Sequence, residues 1–211
     1  MSQIYFADEI TPVNPFTDDG LYDDSWVELS ITNSNDFQMM TGKTIIFEFK
    51  ISKQCEGWQL RAMDYVQYQI LNNRNVIVTA PKKDYEESQS AYHGHSIYDK
   101  LLHPYEPKTL VHSTTAQAHL QIQKDGKLKS WNRLKSNNNT LEEKPIGSLL
   151  GDPSDFSDFV MLGGGVAPGI VVNSRVKGFI CMDSDNEYTP CARFYFDTRQ
   201  LAVKGLLISA Y

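Results

Sequence analysis

The run from Lys43 to Ile51 (KTIIFEFKI) makes the first decision about the fold. Ile45, Phe47, Phe49 and Ile51 alternate with Ile46, Glu48 and Lys50, the two-residue period of a half-buried strand. The period then changes. After Gly57, Leu60, Met63, Val66, Ile70 and Leu71 recur at spacings of three, three, four and one, one face of a helix that Asn72-Asn73 ends. Asn75–Ala80 (NVIVTA) reads as a short buried strand stopped by Pro81, and Trp26–Thr32 as an earlier strand. The order strand, strand, helix, strand makes residues 25–81 a small α+β unit. The chain is 41% hydrophobic over 211 residues, enough for one large core or two small ones.

Residues 11–24 mix Pro, Gly and Asp and read as an irregular lead-in. Lys82–Ser90 (KKDYEESQS) reads as a linker or a solvated helix end. Beyond it, Leu110–His112 is strand-like, and Thr115–Lys124 has a weak helical pattern that Gly126 stops. Residues 132–144 read as a polar loop. Ile170–Val172, Gly178–Met182 and Arg193–Asp197 read as strands, Thr198–Val203 as a helical turn or two, and Leu206–Ile208 as a last strand. The fold class is α+β, with an N-terminal α+β portion over 1–90 and a strand-rich portion over 91–211.

The net charge is −6, which argues against broad electrostatic capture of nucleic acid and leaves room only for a local basic groove. Cys55, Cys181 and Cys191 form no CxxC motif, and their odd number points to free thiols in a reducing compartment. Asp8 and Glu9 stand where a secretory or transit peptide carries Lys or Arg. No apolar run approaches the roughly 20 residues a membrane helix needs. The expectation is a cytoplasmic protein without a membrane partner.

His93, His95, His103, His112 and His119 fall within 27 positions. His93-x-His95 would begin a metal site, but no HExxH, cysteine pair or acidic third ligand accompanies it, so no metal is expected. The order of residues carries more. Gly94-His95-Ser96 precedes Leu110-Val111-His112-Ser113-Thr114, then Ile122, Gly126, Leu128 and Arg133. This set resembles the NAD-handling half of the RNA 2'-phosphotransferases, in which a Gly-His-Ser turn precedes a strand with His-Gly-Thr, a helix and a downstream Arg. Arg193–Asp197 with Gly205-Leu206 is similar to that family's later strand. The run Asp155–Val172 is similar in flavour to the DNA-modifying ADP-ribosyltransferase toxins.

The resemblance implies an ADP-ribosyltransferase-like fold over 91–211, NAD as cofactor, and a nucleic acid or protein as acceptor. His112 and Arg133 take catalytic roles in it: His112 anchors the nicotinamide ribose, and Arg133 meets a phosphate through its planar fork. His95, Ser96, Ser113 and Thr114 join His112 in binding the cofactor, a strand-end His-x-Thr offering a ring donor and a hydroxyl beside a backbone edge. Glu187 is the carboxylate named for the reacting centre. The chain departs from the family at Ser113, where the family has Gly, and in residues 84–94, which contain no Arg. The first 90 residues lack the family's winged-helix lobe with its Arg-His pair, which opens the reading of a binding protein that keeps the fold without the chemistry.

Glu48-x-Lys50 supports a different class. With an upstream acid (Asp36 or Asp24) and a following helix bearing Gln59 and Tyr65, it is similar to the PD-(D/E)xK nucleases, where two carboxylates hold a divalent ion and the Lys assists water. The plainer reading has Glu48 and Lys50 on the solvated face of a strand. Gly163-Gly164-Gly165 lacks a following Lys-Ser/Thr helix and reads as a turn or lid. Arg175 and Arg193 are surface residues or anion contacts.

Overall fold

The computed structural model describes residues 2–34, 38–42, 45–92, 107–137, 153–164, 171–174, 179–182 and 190–207. It divides into two units, Met1–Glu106 with Leu150–Pro153 and Gly205–Tyr211, and Pro107–Leu149 with Ser154–Lys204. The whole is a mixed α+β fold. Among the described residues no helix is long and apolar enough to cross a membrane.

The described strands of the first unit are β1 (Ile4–Phe6), β2 (Trp26–Thr32), β3 (Gln38–Gly42), β4 (Phe47–Ser52) and β5 (Asn75–Thr79), in the sheet order β1-β5-β2-β4-β3. β1, β5, β2 and β4 run parallel, and β3 pairs antiparallel with β4 at one edge. Parallel strands need a crossover connection, and α1 (Trp58–Leu71) supplies the one that leads from β4 past β2 to β5. One face of the three central strands is apolar: Val27, Leu29 and Ile31, then Phe47, Phe49 and Ile51, then Val76 and Val78, all buried. α1 covers it with Ala62, Tyr65 and Val66, and the Tyr65 ring stacks on Phe49 at 5.0 Å. The helix ends as its Asn pair suggested, Asn73 taking a left-handed φ of 60° and its N–H donating to Ile70 O.

β4 departs from the expected half-buried strand. Glu48 is only 2% exposed, and Lys50 alone in the strand is partly open. A strand in a parallel sheet is covered on both faces, so alternation in FEFK marks two different interiors rather than core and water. The second face is filled at one end by Trp26, Ile46 and Ile77, with Tyr5, Phe16, Tyr22 and Ile45 packed on them.

The lead-in forms no helix or strand, as expected, yet its turns are hydrogen-bonded and supply part of that cover. Asn14, 1% exposed, donates from Nδ2 to Leu21 O at 3.0 Å and accepts the Phe16 N–H on Oδ1 at 3.0 Å, while its own N–H donates to Gly20 O at 2.8 Å. Gly20 closes this loop at φ 68°, with a Cβ there reaching 2.8 Å from Val13 Cγ1. The loop delivers Phe16 onto Tyr5 at 4.5 Å and onto Trp26 at 6.2 Å.

Lys82–Ser90 likewise proves more than a linker. It forms α2 (Lys82–Ala91), packed on α1, with Asp84, Tyr85 and Ser88 buried. Asp84 accepts from Lys53 Nζ at 2.7 Å, and that ammonium also lies 5.7 Å from the Trp58 ring centre. The pair ties the end of β4 to the first turn of α2, where the helix dipole favours a carboxylate.

In the second unit β6 (Thr109–Thr115) lies between β7 (Gly163–Gly164) and β10 (Pro190–Asp197), all antiparallel. β8 (Val171–Ser174) and β9 (Phe179–Met182) form a separate antiparallel pair. α3 (Ala116–Asp125) follows β6 at once and is stopped by Gly126 at φ 65°, whose N–H donates to Ile122 O. α4 (Trp131–Lys135) occupies the start of the expected polar loop. A 3-10 turn spans Ser154–Asp158, and α5 (Thr198–Val203) begins at Asp197, whose carboxylate caps the Gln200 N–H at 2.8 Å. Leu206 and Leu207 lie outside any strand.

Candidate functional site

β6 carries His112 at its centre rather than at its end. His112 pairs across the sheet with Phe194 and Thr114 with Ala192, so His112, Thr114 and Phe194 share a face. α3 lies over it, the His119 ring 5.7 Å from the Phe194 ring. Thr114 is buried and His112 is half-buried. Position 113 pairs with Arg193.

His112 Nδ1 lies 3.2 Å from Met161 O. A carbonyl oxygen only accepts, so Nδ1 carries the hydrogen and donates. With Nδ1–H held by that carbonyl, the tautomer is fixed so that Nε2 is the ring's one acceptor position, where the sequence reading had a donor. Leu162 and Met161 leave the β7 ladder, which pairs only Gly163 with Val111 and Gly164 with Leu110. Among the described residues, the β7 side of β6 past Val111 has no further strand partner.

Arg133 stands exposed on α4, and its carbonyl accepts from Ser136 Oγ and Asn137 Nδ2. α4 packs on the 3-10 turn, where Asn132 Nδ2 donates to Asp158 Oδ1 at 2.8 Å. Met161 follows three residues later. One segment thus supports the helix with Arg133 and fixes the ring of His112, although no direct contact joins the two side chains among the described residues. His93, His95, Ser96, His103, Arg175 and Glu187 lie outside the described residues, as does Asp36.

The first unit holds a polar group that the sequence reading named only by half. In parallel register Glu28 of β2 stands beside Glu48 of β4, with Ser30 beside Lys50 one step on. Register partners point to the same face, so two carboxylates, each 2% exposed, share one interior. Thr79 Oγ1 donates to Glu28 Oε1 at 2.5 Å. Burial raises the Tyr22 phenol above its usual range, and the charge of Glu28 adds to that. Asp24, the proposed acidic companion of Glu48, is exposed in the loop before β2. The signal for Glu28 was a lone charge inside the apolar run WVELSI. Among the described residues no group of three or more His, Cys, Asp or Glu is placed to hold a metal ion.

Protein-family models, curated proteins and solved structures offer no match to this chain.

Proposed function

We propose that the second unit transfers the ADP-ribosyl group of NAD to a nucleic acid, protein or phosphate acceptor, the chemistry of ADP-ribosyltransferases and RNA 2'-phosphotransferases. The observation that carries this reading is the oriented His112. Met161 O holds its Nδ1–H, so Nε2 is left to accept a ribose hydroxyl, with Thr114 on the same face and, among the described residues, no strand paired on the β7 side of β6 past Val111. A backbone edge reads a carboxamide by a donor and an acceptor together. NAD supplies an ADP-ribosyl group on a stable leaving group, and the protein's share is to orient the ribose and exclude water. Arg133 is assigned to a phosphate.

The test is release of nicotinamide from NAD by the full chain, with and without chelator. Release that persists in chelator and falls at least tenfold in His112→Ala is expected. Saturating NAD at 100 times its dissociation constant should add about 2.7 kcal/mol of stability. Absence of both nicotinamide release and a thermal shift at millimolar NAD would end this reading.

One observation favours a second reading, a metal-dependent nuclease built on the first unit. Glu28 and Glu48 side by side, with Lys50 one step along the same face, have the residue types that hold a divalent ion and assist water. Magnesium-dependent cleavage of DNA or RNA, abolished by chelator and by Glu48→Gln, is its signature.

A further inference from the structure

A cavity of about 120 Å3 opens in the first unit where β2 and β4 begin. Tyr22, Trp26, Ile45 and Phe47 line its interior, and Asp23 and Asp24 are also on its wall. Trp26 and Phe47 are buried, whereas both aspartates are exposed, so the apolar surface lies inside and the charge lies toward water. The Tyr22 and Trp26 rings stand nearly perpendicular, 81° apart with centres 6.1 Å from each other, forming an aromatic corner. We propose that this cavity binds the alkylammonium end of a small amine or of a lysine side chain.

Three features argue for that class. The volume is well below the roughly 300 Å3 at which drug-sized ligand sites begin, and holds about four water-sized groups at roughly 30 Å3 each. That excludes a nucleotide and admits a short chain with a charged head. The mouth is anionic: Asp23 and Asp24 line it, next to Tyr22 in the same loop. Asp23 is pinned by Ser25, whose Oγ donates to Oδ1 at 2.5 Å and whose N–H donates to the same oxygen at 2.9 Å. These bonds hold its carboxyl below the usual range, so it faces the cavity mouth as an anion. Aromatic faces attract cations through the ring quadrupole, so the interior that disfavours an anion accepts an ammonium with its alkyl stem. The proposal is independent of the chemistry assigned to His112.

The test titrates the full chain with n-butylammonium chloride while following the indole N–H resonance of Trp26 by NMR. Saturable movement is expected, with no comparable movement from 1-butanol or from sodium chloride at equal concentration. Asp24→Asn should weaken binding about two- to fivefold, the range for an exposed ion pair, and Tyr22→Leu by a similar factor through the lost ring. Among the described residues the Asp24 carboxylate makes no hydrogen bond, so its variant stays informative even where Asp23→Asn disturbs the Ser25 turn. A lysine capped at both backbone ends separates the sources. Binding equal to butylammonium assigns a protein lysine, and exclusion of the capped residue assigns a free amine. Equal binding of 1-butanol, unchanged affinity in both Asp24→Asn and Tyr22→Leu, or absence of saturation would overturn the proposal.

Discussion

Replacing Asn14 by alanine should unfold the first unit more easily than its place in a surface loop suggests. Two side-chain hydrogen bonds vanish, to Leu21 O and from the Phe16 N–H, each about 3.0 Å and partly buried. At about 0.5–1.5 kcal/mol per bond the direct loss is about 1–3 kcal/mol. Desolvation of the Phe16 N–H keeps the expected value near the upper half, about 2–3 kcal/mol. Asn14→Asp supplies an internal control, because a carboxylate still accepts from Phe16 but cannot donate to Leu21, so about half the loss should remain. Gly20→Ala acts on the same loop by another route, combining a left-handed φ of 68° with the contact at Val13, and should cost at least about 1–2 kcal/mol. Urea unfolding followed by tryptophan fluorescence measures these changes, since Trp26 and Trp58 both report on this unit. With a slope of about 2 kcal/mol per molar urea, Asn14→Ala should lower the midpoint by about 1–1.5 M. A loss below about 0.5 kcal/mol, the range of ordinary surface changes, would refute the argument that Asn14 organises the loop.

Lys53→Met should destabilise by about 1–3 kcal/mol, because it leaves the buried Asp84 carboxylate without its ammonium; the 27% exposure of Lys53 keeps the cost below that of a fully buried pair. A thermal melt checks this, and Asp84→Asn in the same background should recover part of the loss. Tyr92 donates to Asp64 at 3.0 Å, and burial, with the neighbouring carboxylate, raises its phenol to about 12. An acid raised in the folded state contributes stability that is complete below the unfolded pKa near 10 and is lost as pH climbs from there towards 12. Absorbance of phenolate should show a late-titrating component that Tyr92→Phe removes; an unchanged titration would contradict the assignment. Thiol counting in denatured, non-reduced protein should give three per chain. Cys55 is in no disulfide, and among the described residues β9 with Cys181 pairs with β8 whereas β10 with Cys191 pairs with β6.

Local patterns were legible wherever one period dominated. The helix after Gly57, the strand NVIVT and the stop at Gly126 follow from spacing and glycine chemistry alone, and β6 and α3 lie within a few residues of their expected bounds. What the sequence could not convey was which face meets what. FEFKIS and WVELSIT look amphipathic because Glu and Lys alternate with Phe and Ile, yet in a parallel sheet both sides are interior, and the register that sets Glu28 beside Glu48 is decided by a crossover rather than by neighbours in the chain. α2 was obscured for the opposite reason: its composition is polar, and only Tyr85, Asp84 and Ser88 turn inward. At His112 the residue was readable but its tautomer was not, since that depends on a carbonyl 49 positions away.

The glutamates in the middle strands also bear on how the chain is made. β1 and β2 both wait for β5, whose last residue is Thr79, and at about 5–20 residues per second the interval from Phe6 to Thr79 lasts roughly 4–15 seconds. Until β4 is complete at Ser52, Trp26–Thr32 is an apolar ribbon open on both edges, the kind of segment that docks onto another copy of itself, and its β5 edge stays open until Thr79. A charge at its third position makes such self-association costly while water is still present, and Glu48 does the same for the next strand. Replacing either by Gln would leave the finished sheet with similar shape and remove the guard that protects it on the ribosome, so the loss would register first as insoluble product in cells rather than as a lowered melting temperature.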